Sequence, residues 1–103
     1  MVGEIKDMIV HLALFKFRPG ISKISIDKLF DDLRKLNRKI EGVEHILAGE
    51  NFSPHAENYT HAVVVVCHDK AALEAYRTHP EHAAIAKRIE HIEEKSLGAD
   101  FEG

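Results

Sequence analysis

A single cysteine, Cys67, stands among the 103 residues, which excludes an intrachain disulfide and fits a reducing compartment. Excess charge is nearly absent too. Fourteen Lys and Arg against 17 Asp and Glu leave a formal net charge of -3, which gives no electrostatic reason to expect nucleic acid or acidic lipid as a partner. Long apolar runs are missing. The stretch 8–17 is the longest near the start, but it carries His11 and Lys16 and is too short to span a bilayer or to serve as a signal peptide. Repeats, low-complexity tracts and linkers are likewise absent, so one domain is expected over residues 1–103, in the cytoplasm and away from membranes. A chain of this size buries only about 60–65% of its unfolded surface when folded alone, so a partner would add stability.

What is present is regular punctuation. Breaks fall at Pro19-Gly20, at Gly42, over 49–54 and over 78–80. Residues 8–17 read as a strand. Ile26, Leu29, Phe30, Leu33, Leu36 and Ile40 recur at three- and four-residue steps behind Ser22 and Ser25 as candidate caps, the pattern of a helix of three or four turns. Residues 43–50 and 59–68 read as strands, the latter rich in valine. Asp69 then caps a second helix. Proline is tolerated in a first helical turn, so Pro80 opens a separate short helix with Thr78 as its expected cap, carrying His82, Ile85, Ala86, Ile89 and Ile92. Residues 95–101 close as a fourth strand.

The order β-α-β-β-α-β defines an α+β, ferredoxin-like fold, with helices on one face of a four-stranded antiparallel sheet. A strand with one wet face alternates apolar and polar residues, but 62–67 and most of 9–15 are apolar on both faces. Both faces must then be covered. With no further helices to cover the second face, the expectation is a homodimer whose two sheets pack face to face through an isologous two-fold contact.

The stretch 75–82, Ala-Tyr-Arg-Thr-His-Pro-Glu-His, places Tyr76 and His82 on either side of a helix break. Imidazole suits general acid/base work, and a phenol hydroxyl can donate to a developing enolate. His11, Ala13 and Phe15 share one face of the first strand, as His61, Val63, Val65 and Cys67 share one face of the third. If those faces look toward the helices, His11, His61, Tyr76 and His82 converge on an apolar pocket, which Phe30 and Leu33 of the first helix and His79 would help to line. The structural alternative is that Tyr76 and His82 bond one another, or the backbone at the break, and merely lock the junction.

Other features carry less. His79 and His82 supply two ligands where a zinc site needs three or four, so no metal is expected. Cys67 lacks the glycine-rich elbow or histidine partner of a nucleophile and reads as a small core residue. His45, His55, His68 and His91 fall in loops or on polar faces, and the charges of the first helix form a solvated face.

Residues 8–11 (Met-Ile-Val-His), 59–63 (Tyr-Thr-His-Ala-Val), the Tyr-x-x-His-Pro-x-His string from Tyr76 to His82, and Asp100-Phe101 together resemble the stress-responsive dimeric α/β-barrel (Dabb) family, over about residues 8–101. The resemblance implies a homodimer whose two four-stranded sheets form an α/β barrel, in agreement with the burial argument. It also implies that Tyr76 and His82 match the catalytic pair of a polyketide-cyclising member, with the histidine as base, the tyrosine holding the substrate, His11 as the matching first-strand histidine, and neither metal nor organic cofactor. Two functions remain open: a cofactor-independent lyase or cyclase binding a small apolar carbonyl or phenolic compound, or a non-enzymatic, stable stress-related dimer in which the pair is structural.

Overall fold

The computed structural model describes residues 8–103. Strand β1 (Ile9–Phe17) leads to helix α1 (Lys23–Lys35), strands β2 (Val43–Glu50) and β3 (His61–Cys67) follow, then helices α2 (Lys70–Thr78) and α3 (Pro80–Ile92), and strand β4 (Glu93–Glu102). Every strand pair is antiparallel and the sheet order is β2-β3-β1-β4, the expected ferredoxin-like arrangement. The second element of helix splits at the break, so three α-helices cover the sheet.

Local chemistry sets the helix ends. Ser22 Oγ accepts from the Ser25 amide and Asp69 Oδ1 from the Ala72 amide, each satisfying a donor the helix cannot. After Lys35 the backbone of α1 tightens into one 3-10 turn, Leu36–Arg38, which still buries Leu36. The expected cap of α3 is corrected. His79, not Thr78, is its N-cap, with Nδ1 accepting from the Glu81 amide, while the Thr78 hydroxyl donates back to the Glu74 carbonyl inside α2. Pro80 then sits at the first helical position, where its missing amide hydrogen costs nothing.

One core lies between the helices and one sheet face, with Phe30, Leu36, Val65 and Cys67 as its most enclosed large side chains. On β1 the inward set runs Ile9, His11, Ala13, Phe15 and Phe17, and cross-strand register places Asp100, Gly98 and Ser96 of β4 beside His11, Ala13 and Phe15. The opposite sheet face carries Leu12, Leu14, Val64 and Val66 and remains without helices. Leu47, Leu97 and Phe101 on that face are 60%, 55% and 52% exposed.

Candidate functional site

Tyr76 lies in the last turn of α2 with its ring pressed into the core at 2% exposure. His82 stands in the first turn of α3, and the break at His79-Pro80 folds it back so that the two ring centres are 4.3 Å apart. His11 approaches from β1, its ring centre 6.4 Å from that of Tyr76. Three of the four residues expected to converge therefore do so.

The second partners of the histidines settle which nitrogens are free. His82 Nδ1 lies 3.2 Å from the Arg77 carbonyl, which can only accept, so Nδ1 carries the proton and Nε2 keeps its lone pair. His11 Nδ1 lies 2.6 Å from Asp100 Oδ1, a carboxylate oxygen that accepts, so its Nδ1 carries a proton as well. Asp100 also accepts from the Arg77 guanidinium, and these two bonds, led by that from His11, hold its carboxyl below the usual carboxylate range. Burial lowers His82, which keeps the imidazole neutral near pH 7. It raises the Tyr76 phenol far enough to keep it a donor across the physiological range. The arrangement is thus a neutral base, a buried phenol and a carboxylate-backed second imidazole with neighbouring rings.

His61 is set apart. It pairs with Phe15 rather than Ala13, four residues from Val65 along β3 and so about 13 Å from the His11 level. Its ring is caged by Phe17 and Phe30 at 5.0 and 5.7 Å, its Nδ1 bonds Thr60 Oγ1 at 2.8 Å, and burial lowers its pKa. The expectation that it joins the other histidines is corrected: its strand position faces the first helix, where the aromatic residues fill the space.

Phe15, Phe30, Leu33, Val63 and Val65 are packed core behind the site rather than an open lining. His79 is occupied as a helix cap. Space instead lies toward β4, where the small residues Ala13 and Gly98 pair and where Ser96, Gly98 and Asp100 are exposed on the helix side. A cleft of about 450 Å³ flanked by Ile9, Leu73, Arg77, Asp100 and Phe101 adjoins it. Arg77 and Asp100 escaped the reading of chemistry from residue types. Alternation along β4 held the signal, because an acid at an inward position of an otherwise outward-apolar strand faces whichever residue β1 brings beside it. Among the described residues no three His, Cys, Asp or Glu side chains cluster as a metal site, and no helix is long and apolar enough to cross a membrane.

An antiparallel ferredoxin-like sheet with helices on one face and a histidine–tyrosine site at the α2–α3 break defines the class. The chain belongs to the stress-responsive A/B barrel domain family (Dabb), whose sequence model matches residues 9–103. Among solved structures, it is similar to a Dabb family protein with a ferredoxin-like fold from Mesorhizobium loti (27% identity, 91% of this chain and 94% of that one, TM-score 0.77). It is also similar to a dimeric ferredoxin-like protein from Thermobifida fusca (25% identity, 93% and 91%, TM-score 0.81). The hydroxynitrile lyase of Passiflora edulis shares the fold at 19% identity, 95% and 94% coverage and a TM-score of 0.85. No curated protein matches the sequence.

Proposed function

We propose that the chain acts as a homodimer that binds a small apolar carbonyl or phenolic compound at the His11–Tyr76–His82 site and carries out lyase- or cyclase-type proton chemistry without a cofactor. The observation that carries this reading is the tethering of His82 through Nδ1, which leaves its Nε2 lone pair free, with the buried Tyr76 ring next to it and the Asp100-bound His11 ring beyond. His82 Nε2 takes a proton from the carbon next to the ligand carbonyl. The electron pair of that C–H bond moves into the enolate, and the Tyr76 hydroxyl donates to its oxygen. His11, backed by Asp100, returns or relays the proton when the new carbon bond forms or breaks, as a carboxylate-oriented imidazole does elsewhere.

The half-exposed apolar residues Leu47, Leu97 and Phe101 on the helix-free sheet face support the dimer, as does the dimeric relative in Thermobifida fusca. The lyase from Passiflora edulis supports the reaction class only as a precedent on the same fold. A cytoplasmic setting belongs to the same reading and rests on the lone, buried thiol of Cys67.

A thermal-shift screen with methyl ketones and phenolic acids tests the proposal. Wild type is stabilised by at least one class, and His82→Ala and Tyr76→Phe lose that stabilisation while remaining dimeric. Equal stabilisation of all three proteins contradicts it. One observation favours a second reading, a non-enzymatic stress-related dimer: the bond from His82 Nδ1 to the Arg77 carbonyl ties α3 to the end of α2. On that reading both variants melt early and no compound stabilises wild type.

A further inference from the structure

At the far end of α3 from His82, a groove of about 570 Å³ runs between α3 and the first turns of α1. This volume falls in the range of small-molecule sites, about 300–1,000 Å³. Its floor is Leu29 and Ile92, and Ile24 stands at its rim at 81% exposure, a large side chain left in water. Lys28, Lys87 and Arg88 surround this apolar surface. Among the described residues that line the groove, every ionisable one is basic, in a chain whose net charge is -3.

The cations differ in how far they are spoken for. Lys28 and Arg88 both contact Asp32, which tethers them to the groove wall and offsets one charge between them. Lys87 makes no ion pair among the described residues. His91 joins the same wall, with Nδ1 donating to the Lys87 carbonyl at 2.8 Å.

We propose that this groove is a second ligand site, which takes an amphiphilic anion: an apolar tail along Leu29, Ile24 and Ile92, and a carboxylate head against Lys87 and the Asp32-tethered pair. Charge complementarity selects the head, since a neutral head leaves Lys87 unmatched and the pair on Asp32 only half offset, and a cationic one is repelled. The apolar floor selects the tail, because a small hydrophilic anion gains nothing from Leu29 and Ile92. The groove is too small and too short for a folded partner, so the occupant is a free medium-chain amphiphile rather than a protein surface.

Isothermal titration with decanoate, kept below its micelle concentration, provides the test. Lys87→Glu and Ile24→Ser each alter an exposed side chain and leave the core intact. Wild type binds one decanoate per chain, each groove variant weakens binding about tenfold, and His82→Ala binds as wild type does, which separates this site from the one proposed above. Unchanged affinity in both groove variants overturns the proposal, as does the absence of saturable binding. Loss of binding in His82→Ala overturns it in favour of the other site. Decanol binding as tightly as decanoate removes the role of the cations. Co-sedimentation with phosphatidylglycerol vesicles, without binding of free decanoate, replaces the ligand site with a membrane-facing surface.

Discussion

Replacing Gly42 by alanine tests how closely the site depends on packing remote from it. Gly42 precedes β2 with φ +88°, and a Cβ built there meets Ala72 Cβ at 2.6 Å. Ala72 lies one turn before Tyr76 on the same buried face of α2. Gly20 has nearly the same backbone angle, φ +91°, with nothing within 4 Å of its Cβ position. The two substitutions therefore share the cost of a left-handed alanine, about 1–2 kcal/mol, and the gain from a stiffer unfolded chain, about 0.4–1 kcal/mol. Only Gly42→Ala adds overpacking against a helix, about 1–3 kcal/mol. For a domain of this length each kcal/mol moves the midpoint about 4–8 °C, so Gly42→Ala melts about 4–24 °C below Gly20→Ala at equal protein concentration. Calorimetry measures the gap. Because α2 must shift to accommodate the methyl, the Tyr76–His82 contact changes too, which shows in the imidazole NMR signals of His82 in Gly42→Ala but not in Gly20→Ala. Equal melting of the two variants refutes the close approach of Gly42 to α2.

Four further outcomes follow from the same structure. Val64→Asp, in the middle of the helix-free face, yields a folded monomer by light scattering, and a dimer that survives this buried charge contradicts face-to-face association. Burial lowers both His82 and His61, so the unfolded chain binds protons that the folded chain refuses. Their contribution is complete above the ordinary imidazole value of about 6.5 and is lost as pH falls through that value toward the folded ones; urea midpoints decline between pH 7.5 and 5.5, and His61→Gln with His82→Gln flattens the decline. Asp100 acts in a separate window: its lowered carboxyl stabilises the fold above about pH 4 and ceases to do so in stronger acid. Cys67, buried and with its thiol raised by desolvation, reacts with a disulfide reagent only as fast as the chain opens, and immediate labelling in the native state contradicts that burial.

Much of this architecture was legible because local chemistry and tertiary packing agree. Val43–Glu50 reads as a strand and is one, Ser22 and Asp69 read as caps and serve as caps, and the two-sided apolar character of β3 matches a sheet with one face in the core and one bare. The errors have local causes. Thr78 is a better cap residue by type than His79, but Pro80 fixes the helix start one residue later, and the imidazole reaches the Glu81 amide. The apolar spacing continues through Leu36 and Ile40, so periodicity could not reveal that α1 tightens into a 3-10 turn after Lys35. Strand β4 begins at Glu93 and Glu94, two residues before its apolar alternation becomes visible.

The site was legible in its residue types and obscure in its pairings. Tyr76 and His82 lie six residues apart, so the helix break alone brings them together. His11 and Asp100 are separated by almost the whole chain and meet only through the β1–β4 register. His61 shares a face with the site but not a level on the strand, a difference that depends on that same register.

Proton exchange at a bound carbonyl compound tests the account most directly. A small aryl methyl ketone is incubated in D2O with wild type, His82→Ala and Tyr76→Phe, and deuterium entering its methyl group is followed by NMR. Exchange well above the buffer rate in wild type, lost in His82→Ala and reduced in Tyr76→Phe while both remain dimeric, is the predicted result. Exchange at the buffer rate in wild type, or undiminished exchange in His82→Ala, contradicts the assignment of His82 as the base.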